Sequence, residues 1–357
     1  MHCRQALVIA LLLLAPVAAH AQQEPKGYAF LSSPMLIITM NPVNPAPGQT
    51  VEVTVSSPIA DLADSVIRWS VGGSPLAEAL GATSITTTAG ALGTEKKIRV
   101  TADTGGGTVS ADASIIPTEV DLLYDANSYV PPFYEGRALP SPSSQVRLHA
   151  VPRLVRPKGV AVAASDLLYT WKRNGATLAS ISGKGRSTAT VPAPALFGAD
   201  TISVDVATAD RSLVGNASVR IPSVEPVLVF YEDSPLFGIR FRNALRAEDV
   251  AGGGELTIAA VPYFALAAGP NDPRLEYAWR VNGRTIAPDT ARPDELTLSS
   301  GDGSGKARVD LTVTNATDLS MESRGFLQLT LSAHASGNAG TPGTSDTADD
   351  NPFRSQQ

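Results

Sequence analysis

Apolar and polar residues alternate along most of the chain, in short runs separated by Gly, Pro, Asn and Asp. Residues 50–56 are the clearest example, because Val51, Val53 and Val55 alternate with polar residues. Period two is expected of a β-strand that buries one face. The prolines and glycines between such runs interrupt strand pairing and favour turns. The pattern therefore predicts an all-β protein made of short strands.

One strand-like stretch occurs three times, each time with a tryptophan four residues before a glycine. The three tryptophans of the protein are Trp69, Trp171 and Trp279. Their separations, 102 (171 − 69) and 108 (279 − 171), match a β-sandwich domain of about 100 residues. An inward-facing indole is large enough to fill the space between two sheets. The repeat therefore predicts three β-sandwich domains in tandem.

The residues around these tryptophans carry a family resemblance. Residues 169–175 and 277–283 both follow the pattern Tyr-x-Trp-x-x-Asn-Gly, and residues 67–73 follow it loosely, with Gly72 in place of Asn. Asn-Gly suits a tight turn because both residues tolerate positive φ. Residues 36–332 thus resemble tandem immunoglobulin-like domains of the PKD-like kind found in bacterial exported proteins. The resemblance implies a spacer, adhesion or assembly role and no catalysis.

Linkers and changes in composition predict the organisation of the chain. Ile-Pro occurs between the strand-rich regions at 116–117 and again at 221–222, and the residues after 333 are mostly Gly, Ser, Thr, Asp and Pro, a composition typical of disorder. The predicted units are a signal peptide (1–21), a flexible lead-in (22–35), immunoglobulin-like domains 1 (36–117), 2 (118–222) and 3 (223–333), and a disordered tail (334–357).

The first residues have the features of an export signal. Arg4 precedes an apolar run, residues 6–15, and Ala19-His20-Ala21 fits a small-x-small cleavage site. The run of about ten residues is shorter than the roughly 20 needed to span a bilayer. We expect an exported protein that is not membrane-spanning after cleavage. An uncleaved anchor is the alternative, and periplasmic, cell-surface and extracellular locations all stay open.

Charge and residue usage exclude several classes of function. The formal charge is −6 without a basic cluster, which argues against a nucleic-acid partner. The only cysteine, Cys3, lies in the predicted signal, and only His149 and His334 follow it. A Ser-His-Asp triad and a zinc site both need more than these residues offer. We therefore predict that the protein is not an enzyme and has no cofactor and no metal.

Two weaker chemical signals, for calcium and for phosphate binding, occur in loops. Calcium binding by loop carboxylates is the alternative to a metal-free protein, and the candidate pairs lack dense Asp-x-Asp spacing. Residues 301–306 have the composition of a phosphate-binding loop, but Ser300 and Ala307 occupy positions where that motif needs Gly and Ser/Thr. We read this stretch, like Gly183-Lys184-Gly185 in domain 2, as a turn. The candidate calcium pairs are Asp61 with Asp64, Glu232 with Asp233, and Asp289 with Asp294.

The best candidates for function are aromatic residues in two segments, 127–139 and 233–245, which precede the second main strand of domains 2 and 3. Exposed aromatics between strands typically indicate a contact surface. The alternative is that they pack under their own domain or against its neighbour. The predicted binding residues are Tyr129, Phe133, Tyr134, Phe237 and Phe241.

These observations favour a non-enzymatic structural or interaction protein of the bacterial cell envelope or surface. Its partner would be an envelope protein, an extracellular protein or a glycan. A glycan-binding module that uses the two aromatic segments is the alternative hypothesis.

Overall fold

The computed structural model describes residues 36–246, 250–251, 255–300 and 304–331. The predicted signal peptide, lead-in and tail, with His334 and residues 301–303 of the glycine-rich loop, lie outside these ranges. The described residues form an all-β protein whose only helical elements are two single-turn 3₁₀ helices, Ala164–Asp166 and Ala179–Ile181. Within the same ranges no helix is both long and apolar enough to cross a membrane.

The first sandwich packs the sheet β1-β2-β5 against the sheet β4-β3-β6-β7. Valines of β2 face inward toward Ile67, Trp69 and Val100 of the opposite sheet. The predicted alternation of residues 50–56 is confirmed, because Val51, Val53 and Val55 are all buried. Its strands are β1 (Ile37–Asn41), β2 (Thr50–Ser56), β3 (Val66–Val71), β4 (Ser74–Leu80), β5 (Ser84–Thr88), β6 (Lys96–Thr104) and β7 (Gly107–Ile115).

The second sandwich packs the sheet β8-β9-β15 against β13-β12-β16-β17, to which β14 adds through β12. Gly183 and Lys184, expected in a turn, instead form β14, because they pair with Tyr169 and Leu168 of β12. Its strands are β8 (Glu119–Ala126), β9 (Gln145–Arg153), β10 (Val155–Arg156), β11 (Val160–Ala161), β12 (Leu168–Arg173), β13 (Ala176–Thr177), β14 (Gly183–Lys184), β15 (Thr188–Pro192), β16 (Ala199–Ala207) and β17 (Val214–Pro222).

The third sandwich packs β19-β18-β21-β24 against β20-β26-β25-β22-β23, and β20 pairs with β26 in parallel. Its strands are β18 (Val227–Ser234), β19 (Gly238–Ala244), β20 (Val250–Ala251), β21 (Glu255–Tyr263), β22 (Leu275–Val281), β23 (Arg284–Ile286), β24 (Glu295–Ser299), β25 (Gly305–Asn315) and β26 (Asp318–Leu331).

The three tryptophans occupy the same position in the three cores, as the repeat predicts. Each is fully buried between its two sheets. Each indole N–H also donates a hydrogen bond to a backbone carbonyl, of Ala82, Arg186 and Pro293 in turn, at 2.8–2.9 Å. A buried N–H needs such a partner, since leaving it unpaired would cost free energy.

The turn after each tryptophan strand has positive φ at both central residues, as the Asn-Gly pair predicts. In the third sandwich φ is 47° at Asn282 and 79° at Gly283. The Asn282 side chain also stabilises this turn, because its Oδ1 accepts a hydrogen bond from Arg308 N at 2.9 Å. The same bond joins Asn174 Oδ1 to Thr201 N at 2.8 Å. Asparagine therefore ties the turn to the neighbouring strand.

We expect Asn282→Ala to lower the free energy of unfolding of the third sandwich by about 1–2 kcal/mol. Alanine at positive φ is strained, and the hydrogen bond to Arg308 is lost. Asn282→Gly is the matched control, because glycine keeps the conformation and loses only the bond. Denaturant-dependent hydrogen exchange of the third sandwich would compare the two. Equal losses would contradict a conformational role for Asn282.

Hydrogen bonds also connect the first sandwich to the second. Thr118 N donates to Pro45 O at 3.1 Å, and Lys158 N, in the turn between β10 and β11, donates to Gly93 O at 3.2 Å. A side chain at Gly93 would meet Val155 Cγ1 at 2.9 Å. The β10–β11 hairpin therefore approaches the loop around Gly93 closely.

Candidate functional site: the aromatic junction of the second and third sandwiches

The two aromatic segments, which match in sequence position, have different structures. Residues 127–139 form an irregular loop between β8 and β9, closed at its base by a hydrogen bond from Ser128 Oγ to Leu139 O at 2.6 Å. In the third sandwich, Asp233 and Ser234 pair with Ile239 and Gly238, so that segment is a β18–β19 hairpin. We call residues 127–139 the bridging loop.

The bridging loop forms backbone hydrogen bonds with the third sandwich. Tyr129 N donates to Ala265 O at 2.8 Å, and Phe264 N donates to Tyr129 O at 2.7 Å. A third bond runs from Val224 N, in the linker, to Pro140 O at 2.8 Å. Tyr129 thus bonds two successive residues of the third sandwich, as at a β-bulge, and these bonds link the two domains directly.

Aromatic side chains fill the space between the bridging loop and the outer face of the sheet β19-β18-β21-β24. The Tyr134 ring lies 5.6 Å from that of Tyr263 and 6.1 Å from that of Phe264, both edge-on. Tyr231 and Tyr263 share a hydrogen bond of 2.7 Å between their hydroxyls. The cluster comprises Tyr129, Val130, Tyr134, Leu139, Val224, Val227, Val229, Tyr231, Ile239, Phe241, Ala244, Val261, Tyr263 and Phe264.

The composition of β21 explains why this sheet face becomes buried. In β9 of the second sandwich, Arg147 and His149 point outward and are exposed. The matching positions of β21 are Thr257 and Ala259, and Val261 follows them on the same face. Ala259 and Val261 are fully buried. A nearly continuous apolar strand is typical of burial on both faces. The apolar run in residues 255–263 is therefore the sequence signal for this junction, and the predictions above did not use it.

The structure divides the five predicted binding residues into two groups. Tyr129, Tyr134 and Phe241 lie in the aromatic cluster, where they join the two sandwiches. Phe133 and Phe237 are exposed to 96% and 78%. Phe133 also has a φ of 64°, which is unfavourable for a bulky residue.

A buried carboxylate lies in the third sandwich near this junction. Asp294 is 2% exposed, and its Oδ1 accepts no hydrogen bond from a described residue. Arg292 Nε lies 3.8 Å from that oxygen, and the same guanidinium pairs with Glu295 and, at 3.8 Å, with Asp233. Burial raises the pKa of Asp294, and the charge of Asp233 adds to this. The folded state therefore loses stability as the pH rises from the ordinary pKa of an aspartate through the raised pKa of Asp294.

Tyr129 of the bridging loop is also affected by burial and by the charge of Asp294. Burial raises the pKa of its hydroxyl to about 12, and the negative charge of Asp294 contributes. Burial raises the pKa of Tyr231 and Tyr263 as well. These hydroxyls therefore stay protonated at neutral pH and act as neutral hydrogen-bonding groups.

Two of the candidate calcium ligands, Asp61 and Asp289, cap their own loops. Asp61 Oδ1 accepts a hydrogen bond from Ala63 N, and Asp289 Oδ1 accepts bonds from Ala291 N and Arg292 N. These are ordinary loop-capping bonds. In the part of the chain that the structure describes, no group of three or more His, Cys, Asp or Glu residues is arranged to hold a metal ion. His149 is exposed on β9.

Comparisons with known proteins find similarity only at the level of fold. No family model matches the chain, and no curated protein matches it either. The central fibronectin-III array of RIM-binding protein is 14% identical, over 82% of this chain and 96% of that one, with a TM-score of 0.28. The fibronectin(III)-like modules of Clostridium thermocellum CbhA are 12% identical, over 52% and 94%, with a TM-score of 0.25.

A third solved structure is Bacteroides ovatus SGBP-B of a mixed-linkage glucan utilization locus, in complex with a mixed-linkage heptasaccharide. It is 12% identical, over 83% of this chain and 70% of that one, with a TM-score of 0.23. Identities and TM-scores this low assign neither a family nor a ligand. The strands themselves establish the fold, three immunoglobulin-like β-sandwiches in tandem.

Proposed function

We propose that the protein is a non-enzymatic, exported structural and interaction protein of the bacterial cell envelope or surface. In this role three immunoglobulin-like domains (36–117, 118–222 and 223–333) act as a spacer that holds contact residues in fixed positions. The observation that carries the proposal is the bridging loop, which covers the outer sheet face of the third sandwich. A catalytic role has no comparable support among the described side chains.

The physical case rests on the apolar character of the second junction. Domains joined only by a linker move relative to each other unless a large hydrophobic interface restrains them. Here the interface has buried aromatic rings, and the backbone hydrogen bonds at Tyr129 and Phe264 fix the orientation of one sandwich relative to the other. Opening it would expose Val261, Tyr263 and Phe264 to water. We therefore infer that the second and third sandwiches move as one body.

Phe133 and Phe237 are the residues we propose for partner contact. Both are exposed at turns outside the strands, and neither is part of a core cluster among the described residues. An aromatic side chain held on a rigid support forms a contact with little loss of conformational entropy. The partner would be an envelope or extracellular protein. A glycan is the second candidate, favoured by the same exposed rings, which could stack on a sugar face.

Two neighbouring residues of the bridging loop give a matched test of both roles. With spin labels on the second and third sandwiches, we expect a narrow distance distribution that Tyr134→Ala broadens. Phe133→Ala should leave the distribution and the melting temperature unchanged, because its ring contacts solvent. It should instead reduce retention on partner-bearing envelope fractions or on immobilised envelope polysaccharide, and which of the two responds identifies the partner class.

Two outcomes of the same experiment would contradict the proposal. A broad distance distribution in the unmodified chain would remove the spacer role, whatever the binding results. Unchanged retention after Phe133→Ala and Phe237→Ala together would remove the contact role of these residues while leaving the rigid pair intact. The two parts of the proposal are therefore tested separately.

A further inference from the structure

The sheet edge beside the tryptophan strand is longer in the first sandwich than in the other two. Strand β4 (Ser74–Leu80) lies at the end of the sheet β4-β3-β6-β7 and spans seven residues. The equivalent edges of the other sandwiches are β13 and β14, of two residues each, and β23, of three. Very short edge strands are one way in which proteins prevent pairing with other chains. At the edge beside the tryptophan strand, the second and third sandwiches have this protection and the first does not.

The side chains of β4 make its solvent-facing side apolar. Leu76 and Leu80 are exposed to 50% and 65%, and with period two they lie on the same face as Glu78. Leu76 has no partner residue in β3, because a bulge separates the Trp69–Ala77 and Ser70–Pro75 pairs. Exposed leucines on an unpaired edge are a template for another strand.

The backbone of β4 has hydrogen-bonding groups that point away from β3. Gly81 N donates to Ser65 O at 3.0 Å, so these two residues form a hydrogen-bonded pair. Hydrogen-bonded and non-hydrogen-bonded pairs alternate along an antiparallel ladder. Arg68–Glu78 and Val66–Leu80 are therefore non-hydrogen-bonded pairs. It follows that the N–H and C=O groups of Glu78 and Leu80 face the open edge.

We propose that β4 pairs antiparallel with β4 of a second copy of this chain, about a two-fold axis at Glu78. The sequence Leu76-Ala77-Glu78-Ala79-Leu80 reads the same in both directions. Antiparallel pairing centred on Glu78 thus sets each Leu76 opposite Leu80 of the second copy, and each Ala77 opposite Ala79. A two-fold interface must be self-complementary, and a palindromic strand meets this requirement.

The surroundings of β4 fit this register. Pro75 has no N–H to donate, which ends the pairing at Leu76 and centres the available stretch on Glu78. A cleft of about 370 Å³ lies beside Leu76 and provides space for an incoming Leu80 side chain. It is lined by Arg68, Pro75, Leu76, Glu78 and Arg99, among others.

Arg68 offsets part of the negative charge at the axis. The two Glu78 carboxylates would face each other, and like charges directly opposite are unfavourable. Each carboxylate, however, already pairs with its own Arg68, whose Nε lies 2.8 Å from Glu78 Oε1. Arg68 also donates through its Nη1 to Asp103 of β6. The two guanidiniums at the axis would therefore offset the charge of the two Glu78 carboxylates only in part. The pairing does not depend on the spacer role, since it uses only the first sandwich.

Sedimentation of the purified exported chain over a concentration series tests the proposal. Five paired residues bury less than a standard interface of about 800 Å² per partner, so we expect a reversible dimer that forms at micromolar or higher concentrations. Leu80→Lys should raise the dimer dissociation constant at least about tenfold, because it sets two lysines at the edge of the pairing. Leu123→Lys is the matched control, since Leu123 is 60% exposed on β8 and its substitution should leave the dimer unchanged.

A cross-link tests the register. In a chain with Cys3→Ser, Glu78→Cys should form a disulfide-linked dimer on mild oxidation, whereas Leu123→Cys should not. A chain that stays monomeric up to ~1 mM would overturn the proposal and leave the edge to a strand of another protein. A dimer that survives Leu80→Lys, or that cross-links equally through both cysteine variants, would overturn it as well.

Discussion

Replacing Trp279 with alanine is expected to lower the free energy of unfolding of the third sandwich by about 3–5 kcal/mol. The indole is fully buried, and its ring centroid lies 6.2 Å from that of Phe230 in the opposite sheet. The substitution leaves a cavity between the sheets. It also removes the hydrogen bond from the indole N–H to Pro293 O at 2.9 Å, so a carbonyl loses its partner. A domain is stable by only about 5–15 kcal/mol, so this loss is a large fraction of the total.

Fluorescence and hydrogen exchange together give the measurement for Trp279→Ala. Each sandwich contains one tryptophan, so the variant keeps only the fluorophores of the first and second sandwiches. Hydrogen exchange then reports the third sandwich, and the combined fluorescence of Trp69 and Trp171 reports whether the first or second sandwich unfolds with it. Trp279→Phe is the control, because it keeps most of the apolar volume and loses the N–H. A loss of stability from alanine as small as that from phenylalanine would contradict the packing role.

The tryptophan repeat made the architecture predictable because its cause is local to each domain. An indole between two sheets and a turn with positive φ impose the same residue types wherever the sandwich recurs. The turn residues show this, since Gly72, Asn174 and Asn282 all have φ between 47° and 62°. The spacing of these signals along the chain is then the length of a domain, which sequence alone reveals.

Strand β4 could not be predicted in the same way. Its seven residues contain a proline, two alanines and a glutamate, a composition with weak strand propensity and no clear alternation. The partner strand β3 imposes the extended conformation instead, through the pairs from Val66–Leu80 to Val71–Ser74. Tertiary context of this kind overrides local propensity.

The junction of the second and third sandwiches was only partly predictable. Packing against a neighbour was one of two interpretations of the aromatic segments, but which residues would pack depends on contacts across more than a hundred positions. Tyr134 and Phe133 are adjacent and similar in type, yet one is in the cluster and the other is exposed. The informative signal lies on the outer face of β21, where apolar residues replace the polar residues found at the matching positions of β9.

Val261→Asp is expected to open this junction while leaving the sandwich beneath it folded. Val261 is on the outer face of β21, and it is fully buried because the aromatic cluster covers it. An ionised carboxylate buried there without a partner would cost several kcal/mol. Separation of the bridging loop from the sheet would return the carboxylate to water, so we expect this to be the cheaper response. The junction would then open while the second and third sandwiches both stay folded.

The amides of Tyr129 and Phe264 report this opening directly, because their hydrogen bonds cross the junction. We expect Val261→Asp to remove their protection from hydrogen exchange, while the amides of β25 and β26 keep theirs. Val151→Asp is the matched control at the same position of the second sandwich, where the side chain is only half-buried and a carboxylate can reach water. Loss of protection throughout β25 and β26 would mean that the third sandwich does not fold without its cover. The bridging loop would then be part of the core of the third sandwich, and the second and third sandwiches would be a single folding unit, since neither could be removed without exposing the aromatic cluster.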